Sequence, residues 1–383
     1  MAGKQLVLFG AGMTGRGQVA QLAYEDGWDL TLVDRDERLI DLLRQTGRYT
    51  VRLLSASPRE VTVEGFTALH TTHGAAIAGA VTRADLVVTS VLEPNLPEVG
   101  LTLAQALAAR LRTGVDRPLN VVAAENMNNS STVLGEHTRQ ALPDSLRAKA
   151  DTLIGFPNSM IARVVPVAED PLRIPAEEYS EWTADRTAVV GPPPSLTGLE
   201  WVHNQTARLQ RKLYIHNTGH AVCGYCGWLA GYRYIHEAAQ DPAIMSRICE
   251  AIQESGEAVS RQHGFSRESV RAYEENLKER LVIDSLPDDI RRVIRQPIRK
   301  LGKEERLLGP LILCEHFGLP RPGLCRAVAA LLCSRMEGDE QFGRIAQSVA
   351  RLGPVACLQE LAGYLPSAET GSVICRAYAD IRG

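Results

Sequence analysis

The first half of the chain alternates short, nearly continuous apolar runs with longer segments in which apolar residues recur every three or four positions. The short runs are typical of strands buried on both faces, and the longer spacing is typical of amphipathic helices. The predicted strands are 6–9, 30–34, 84–91 and 119–124, and the predicted helices are 36–45, 96–111 and 128–142. Further short strands are expected within 49–72 and 152–185. This alternation predicts an α/β domain with a mostly parallel, doubly wound sheet.

The pattern changes at Gly191-Pro192-Pro193-Pro194-Ser195, because three consecutive prolines can continue neither a strand ladder nor a helix. Beyond residue 199 almost every segment has helical periodicity, with one predicted helix ending at His216 and the next beginning at Ala221. We therefore predict two domains, an α/β domain over 1–193 and an all-α domain over 194–383. A chain of 383 residues is long enough for two separate cores.

A glycine-rich turn follows the first predicted strand and precedes a helical pattern. It reads Gly10-Ala11-Gly12-Met13-Thr14-Gly15, which is G-x-G-x-x-G between a strand and a helix. In this motif the first glycine permits the turn, the second lets the backbone approach a pyrophosphate, and the third lets the helix pack on the strand. The helix N-terminus then favours the negative charge of the phosphates. The motif predicts a Rossmann-type dinucleotide-binding domain.

The second predicted strand ends in Asp34, about twenty residues beyond the glycines, where this motif places an acid on the ribose hydroxyls. A carboxylate there repels a 2′-phosphate, so NAD is favoured over NADP, although Arg35 beside it argues mildly the other way. The predicted cofactor-binding residues are Gly10, Ala11, Gly12, Met13, Gly15 and Asp34.

The segment 211–220 gathers an amine, a carboxamide and imidazoles in one short stretch. On an α-helix, Lys212, His220 and Asn217 would lie at roughly 0°, 80° and 140° around the axis, and therefore on one face. The alternative is a solvated helix face that carries these residues by chance. Asn126 follows the strand 119–124, at the edge of the sheet where ligands bind, but it is equally suited to cap the next helix.

Composition excludes some partners. Charged residues make up 23% of the chain and the formal net charge is -3, with no block of Lys and Arg that would bind nucleic acid. No segment approaches the length of a membrane span, and the first apolar run ends at Gly10, too soon for a signal peptide. The eight cysteines show no regular framework, so we expect reduced thiols in a cytoplasmic protein.

Two motifs suggest a metal site, but each lacks a necessary part. Cys223-Gly224-Tyr225-Cys226 has no second C-x-x-C partner and no thioredoxin-like surroundings, so two core thiols are expected. His216 and His220 have the spacing of zinc-protease ligands, but Asn217 stands where that motif has its glutamate. No metal site is predicted.

Several of these motifs together resemble the polyol-specific long-chain dehydrogenases, nearly end to end. They are the glycine turn, Glu125-Asn126-Met127, Ser180-Glu181-Trp182, and Lys212 with Asn217 and His220. Within that family, the length and the segment Arg295-Gln296-Pro297-Ile298-Arg299-Lys300-Leu301 are most similar to the mannitol-1-phosphate 5-dehydrogenase group.

The resemblance implies NAD-dependent, metal-independent interconversion of a sugar-alcohol phosphate and a ketose phosphate, of the mannitol 1-phosphate and fructose 6-phosphate type. It implies that Lys212 is the general base, that Asn126 and Asn217 donate hydrogen bonds to the developing alkoxide, and that His220 orients the substrate oxygen. A base is needed because hydride cannot leave the carbinol carbon until the oxygen begins to lose its proton.

The substrate residues are predicted to be Arg163, Arg299 and Arg306. Arg299 and Arg306 lie in or beside the best-matching segment, and a guanidinium can bind phosphate through two hydrogen bonds; the alternative is that both form ordinary salt bridges. The chain departs from the family pattern at Ala162, where relatives tend to have Asp, and at Glu93, where they tend to have Gly. These departures keep open an unphosphorylated polyol or a sugar acid as substrate. A non-catalytic protein that senses NADH is a further alternative.

Overall fold

The computed structural model describes residues 3–55, 57–125, 127 and 129–383. The chain folds into two compact units, Met1–Arg208 and Leu209–Gly383. The proline-rich segment 191–195, at which the sequence predicts the domain boundary, lies in the first unit.

The strands of the described residues all lie in the first unit. They are β1 (Gln5–Phe9), β2 (Asp29–Asp34), β3 (Arg48–Leu54), β4 (Arg59–Glu64), β5 (Thr67–His70), β6 (Leu86–Thr89), β7 (Leu119–Ala123), β8 (Ile154–Gly155), β9 (Ser159–Ala162), β10 (Arg173–Glu177), β11 (Glu181–Asp185) and β12 (Glu200–Val202). Six of them form a sheet in the order β5-β2-β1-β6-β7-β8, in which every neighbouring pair is parallel. Two three-stranded sheets, β10-β3-β4 and β12-β11-β9, complete the unit. The predicted doubly wound parallel sheet is confirmed.

Both faces of the six-stranded sheet are buried, which explains why its strands are apolar at successive positions. Along β1, Leu6 and Leu8 pack in one hydrophobic core, whereas Val7 and Phe9 pack in another. Successive side chains of a strand point to opposite faces, so a strand covered on both sides needs apolar residues at every position.

The helices of the first unit cover these two faces. They are α1 (Gln21–Glu25), α2 (Glu37–Thr46), α3 (Gly74–Arg83), α4 (Leu96–Arg112), α5 (Ser130–Ala141) and α6 (Asp144–Leu153), and a π-helical segment, Gly15–Ala20, leads into α1. The sequence pattern predicts α2, α4 and α5 but neither α3 nor α6. Helix α3 is rich in Ala and Gly, whose small side chains give little contrast between a buried face and an exposed one.

The second unit is helical, as predicted. Helix α7 (Gln205–Arg211) leads through a π-helical segment, Lys212–His216, into the helices α8 (Asn217–Leu229), α9 (Ile235–Gln240), α10 (Pro242–His263), α11 (Arg267–Leu281), α12 (Ile290–Ile294), α13 (Pro297–Lys300), α14 (Leu308–His316), α15 (Pro322–Cys333), α16 (Glu340–Leu352), α17 (Pro354–Ala362) and α18 (Ala368–Arg382). Helix α15 is apolar and buried on nearly all sides, and it packs against α8, α10 and α18. Where the sequence predicts a break between 216 and 221, the helix continues.

The thiols of the C-x-x-C motif lie in the core of the second unit, which confirms that they are packing residues. Cys223 is completely buried and its Sγ donates to the carbonyl of Ile235 at 3.4 Å. Burial raises the pKa of both Cys223 and Cys226. All eight cysteines lie in the described part of the chain, and none forms a disulfide. Among the described residues, no helix combines the length and the apolar character that crossing a bilayer requires.

A buried carboxyl group in α11 should make stability depend on pH. Burial raises the pKa of Glu274 from its usual 4.5 to about 7. The folded state therefore holds a proton that the unfolded state releases above its ordinary pKa, and the free energy of unfolding falls as pH rises through this window. One pKa unit corresponds to about 1.4 kcal/mol, so the contribution is at most about 3 kcal/mol.

The side chain of Glu274→Gln cannot titrate. We therefore expect the Tm of this variant, measured by scanning calorimetry, to fall less than that of the wild type between about pH 5 and about pH 7.5. Buried His216 makes stability rise with pH, because its pKa is held well below the usual value. The contribution of Glu274 is therefore obtained from the difference between the Tm curves of the variant and the wild type. Parallel Tm curves for the two proteins would contradict the assignment of a raised pKa to Glu274.

Candidate functional site

The glycine turn has the backbone that a dinucleotide requires. Gly10 has φ +91°, and a Cβ built on it would lie 2.2 Å from the carbonyl oxygen of Ser90. A Cβ on Gly15 would lie 2.1 Å from the carbonyl oxygen of Gly10, so the helix can approach the strand only with glycine at this position. On Gly12, in contrast, a Cβ would meet no described atom within 4 Å. The first and third glycines are thus required by packing, whereas the second borders open space. Ala11 is buried and Met13 begins the helix; their assignment to the cofactor stays a prediction.

Asp34 ends β2 as predicted, and its Oδ1 accepts a hydrogen bond of 2.9 Å from the backbone N–H of Asp36. The guanidinium of the neighbouring Arg35 is engaged elsewhere. It donates to Asn95 Oδ1 at 3.1 Å and lies 3.5 Å from the carboxylate of Glu98. The side chain of Arg35, the feature that favours NADP, therefore interacts with an amide and a carboxylate. This weakens the case for NADP.

Asp34→Ala should weaken the preference for NAD over NADP by about tenfold, because it removes the repulsion between the carboxylate and a 2′-phosphate. The measurement is kcat/KM with each cofactor. Asp36→Asn is the matched control: Asp36 caps α2 from the same turn, and its substitution should leave the preference unchanged. An unchanged preference in Asp34→Ala would show that another group selects the cofactor.

The predicted alkoxide donor Asn126 lies outside the described residues. The residue before it, Glu125, is buried and joins the ends of two strands of the six-stranded sheet. Its Oε1 accepts hydrogen bonds from the hydroxyl of Thr89 at 3.0 Å and from the N–H of Val91 at 2.9 Å. Burial raises the pKa of Glu125 to about 7, although both hydrogen bonds oppose the shift. A buried carboxyl group with a raised pKa thus links the carboxyl ends of β6 and β7.

Lys212 and Asn217 lie at the two ends of a wide helical turn. Lys212 begins the π-helical segment and is buried, with only 9% of its surface exposed. The backbone N–H of Asn217 donates to the carbonyl of Lys212, which is an i→i+5 bond. Two residues five apart therefore lie nearly one above the other, on the same side of the helix. This brings the two predicted catalytic side chains closer in direction than an α-helix would.

The carboxamide of Asn217 is half-buried and makes no hydrogen bond to any residue within the described ranges. It is therefore available to a ligand. π-Helical turns inside α-helices frequently occur at functional sites.

His220 is oriented by a carboxylate that the sequence reasoning did not identify. Its Nε2 lies 2.9 Å from Asp288 Oδ2, and the other carboxylate oxygen accepts from Arg292 Nε at 2.8 Å and Nη2 at 2.6 Å. Burial alone would raise the pKa of Asp288, but the hydrogen bond from His220 and the charge of Arg292 lower it to about 2. With Nε2 donating to the carboxylate, Nδ1 is the ring nitrogen that can accept a hydrogen bond from a substrate hydroxyl.

His216 differs from His220 in its environment. It is buried, and Arg280 Nη1 lies 3.4 Å from its Nδ1. Burial and the positive charges of Arg280, His220 and Lys212 hold the pKa of His216 well below its usual value. His216 is therefore neutral at neutral pH and adds no charge next to Lys212.

The arginines nominated for a phosphate group share one carboxylate. Arg299 Nη1 donates to Glu305 Oε1 at 3.0 Å, and Arg306 Nε donates to Glu305 Oε2 at 3.1 Å. Lys300 lies between these two arginines in the sequence and was not identified from the sequence alone. Its side chain is buried and donates from Nζ to the carbonyl of Val293. Burial, together with the charges of Arg306 and Arg299, lowers the pKa of Lys300 to about 7. The only sequence signal for it is its place in the segment 295–301.

Arg163, the third predicted substrate residue, is surrounded by acceptors of the first unit. Its guanidinium donates to the carbonyl of Gly17 at 2.9 Å, to Gln21 Oε1 at 2.5 Å, and to the carbonyls of Tyr179 and Glu178 at 3.2 Å each. Burial lowers its pKa to about 10. Its assignment to the substrate stays a prediction.

Two solved structures are similar to the whole chain. The crystal structure of D-sorbitol dehydrogenase in substrate-free form matches 99% of this chain and 94% of its own, with a TM-score of 0.82 and 16% sequence identity. The mannitol 2-dehydrogenase of Pseudomonas fluorescens, solved as a ternary complex with NAD and D-mannitol, matches 100% of this chain and 92% of its own, with a TM-score of 0.75 and 16% identity. At this level of identity the likeness concerns the fold.

A parallel sheet with this glycine turn, followed by a helical unit, defines a Rossmann-type dinucleotide-binding protein. The family model described as the mannitol dehydrogenase Rossmann domain matches residues 4–198, and that described as the mannitol dehydrogenase C-terminal domain matches residues 206–352. The chain therefore belongs to the mannitol dehydrogenase family, which confirms the predicted class of polyol dehydrogenase. The Rossmann domain and the family both indicate NAD as the cofactor, as the sequence predicts.

Proposed function

We propose that this protein is an NAD-dependent dehydrogenase that interconverts a sugar-alcohol phosphate and a ketose phosphate, of the mannitol 1-phosphate and fructose 6-phosphate type. The observation that carries the proposal is the π-helical turn with Lys212 and Asn217 at its ends and the oriented His220 one turn further on. The Pseudomonas fluorescens relative of known structure binds NAD and D-mannitol, which supports a polyol as substrate.

In this proposal each residue has a separate task in the oxidation of the carbinol. Lys212, a buried side chain, takes the proton from the hydroxyl as the general base. Asn217 and Asn126 donate hydrogen bonds to the oxygen as negative charge develops on it. His220, fixed by Asp288, accepts from a neighbouring hydroxyl and so orients the carbon chain. The glycine turn and Asp34 would hold NAD, which would supply the acceptor for the hydride.

The phosphate group is supported by the concentration of cations between residues 292 and 306. Arg299, Lys300 and Arg306 lie close enough for the arginines to lower the pKa of the lysine. A bound phosphate would relieve this repulsion and would favour the charged form of Lys300.

A second candidate, a dehydrogenase for an unphosphorylated polyol or a sugar acid, is favoured by one observation. Glu305 already pairs with both Arg299 and Arg306. A phosphate would have to compete with that carboxylate, whereas a neutral hydroxyl would not.

The deciding experiment is a spectrophotometric assay of NADH oxidation with fructose 6-phosphate, fructose and hexuronates as substrates. We expect fructose 6-phosphate to give the highest kcat/KM. A preference for fructose or a hexuronate would select the second candidate, and no turnover with any of them would contradict the proposed activity.

A further inference from the structure

The helix that follows the glycine turn departs from α-helical geometry where it carries its charge. Residues Gly15–Ala20 form a π-helical segment in which every residue is buried, including Arg16 and Gln18. A buried arginine is rare, because taking its charge out of water costs several kcal/mol unless hydrogen bonds replace the water. Arg16 is only 1% exposed, so its partners must account for its position.

Arg16 spans from the glycine turn to a distant loop. Its Nε donates to the carbonyl of Ala11, between the first two glycines, at 2.6 Å, and its Nη1 donates to the carbonyl of Pro171 at 2.7 Å. Its guanidinium also lies 5.2 Å from the ring centre of Tyr49, whose hydroxyl donates to the Arg16 carbonyl at 3.4 Å. The backbone of the turn is thus tied to two other parts of the first unit through one side chain.

The same arginine is electrostatically linked to the residue that selects the cofactor. Burial lowers the pKa of Arg16, and the negative charge of Asp34 acts in the opposite direction. The positive charge of Arg16, held at the glycine turn, attracts phosphate and offsets part of the charge of that carboxylate.

Arg163 supports the same helix further along. It donates to the carbonyl of Gly17 inside the π-helical segment and to the side chain of Gln21 at the start of α1. A π-helical turn displaces carbonyls from the regular i→i+4 pattern, and a buried carbonyl without a partner is costly. Arg163 supplies a donor to one of them.

We infer that Arg16 and Arg163 are positioning residues of the dinucleotide site: they hold the glycine turn and the π-helical segment in the conformation that accepts the pyrophosphate. Arg163 acts on the cofactor site in this assignment, and not on the substrate. The inference rests on the proposed use of NAD. It predicts that substitution of either arginine weakens NADH binding while the chemical step stays intact.

The test is the dissociation constant of NADH, measured by fluorescence titration on the full chain. Arg16→Met should raise it about 10- to 100-fold, the usual effect of losing hydrogen bonds to a charged group. Arg163→Met should raise it by a smaller factor, about tenfold, because it contacts the helix beyond the turn. At saturating NADH, kcat and the KM for the sugar should stay within about threefold of the wild type.

Arg110 is the matched control. It is equally buried in the first unit and donates to the carbonyls of Val81, Thr82 and Arg117, which precede β6 and β7 and so lie at the amino ends of the strands, whereas the glycine turn follows the carboxyl end of β1. Arg110→Met should lower Tm but leave the dissociation constant of NADH within about twofold. If Arg16→Met does not fold, Arg16→Lys, which keeps the charge and can make one of the two hydrogen bonds, should still raise the constant severalfold.

The outcomes separate this inference from the proposed function. A wild-type protein that does not bind NADH would overturn the proposed function and this inference with it. A wild type that binds NADH, with variants of Arg16 and Arg163 that bind it equally well, would overturn this inference alone. An equal loss of binding in Arg110→Met would do the same, because it would show a general effect of destabilisation. If Arg163→Met raised the KM for the sugar and left NADH binding unchanged, Arg163 would be assigned to the substrate site instead.

Discussion

Lys212→Ala should reduce kcat by about 10²- to 10⁴-fold, the usual contribution of a positioned general base, while leaving the dissociation constant of NADH unchanged. The side chain is buried at the start of the π-helical segment of the second unit, whereas the predicted cofactor residues all belong to the first. Loss of turnover with intact NADH binding therefore separates the base from the dinucleotide site. The measurements are kcat at saturating substrates and a fluorescence titration with NADH.

Two controls make this result specific. Lys278→Ala removes a lysine of the same unit that pairs with Glu275 on the surface of α11, and it should leave kcat unchanged. Added methylamine should restore part of the activity of Lys212→Ala, because a small amine can occupy the space of the lost one and accept the proton. Near-normal activity of Lys212→Ala would refute the role of Lys212 as the base.

Asn217→Ala should lower kcat by about 10²- to 10³-fold, which corresponds to about 3 to 4 kcal/mol of lost transition-state stabilisation. The carboxamide makes no hydrogen bond to other described residues, so its removal leaves no protein group there without a partner. We expect kcat and kcat/KM to fall together, since the hydrogen bond strengthens only as charge develops on the oxygen. Steady-state kinetics with the preferred sugar check this expectation.

Thr218 provides the matched control for Asn217. Thr218 is the next residue of α8, and its hydroxyl donates to the carbonyl of Arg306. Thr218→Val should lower Tm and leave kcat nearly unchanged. If Asn217→Ala raised KM and left kcat unchanged, Asn217 would be a residue that binds substrate and transition state equally.

The architecture was predictable because its signal is local. Each strand of the six-stranded sheet is buried on both faces, so a run such as Leu6–Phe9 is visible in the sequence without knowledge of its neighbours. The packing requirement at Gly10 and Gly15 was predictable for the same reason, since it depends on the adjacent strand and helix. Helix α3 was missed because its small side chains carry almost no periodic contrast.

The parts of the site that sequence reasoning missed depend on contacts between distant residues or on a change in backbone hydrogen bonding. Asp288 orients His220 from a loop between α11 and α12, and no spacing rule connects the two. Arg16 was overlooked because a charged residue after a glycine turn is normally solvated, and only the carbonyls of Ala11 and Pro171 make its burial tolerable. A π-helical turn changes the hydrogen-bonding partner of each residue by one position and leaves no mark in the apolar pattern.

The π-helical turn also determines how this segment responds to a change in length. Its hydrogen-bonded loop holds one residue more than that of an α-helix, so removal of one residue between Lys212 and Asn217 would allow a regular α-helix to form. Four residues of an α-helix span about 400°, so the amine and the carboxamide would still lie nearly one above the other. The same deletion in a regular α-helix would rotate one end relative to the other by about 100°. At this place in the chain, a one-residue deletion would remove the wide turn and leave the two ends of the helix in phase.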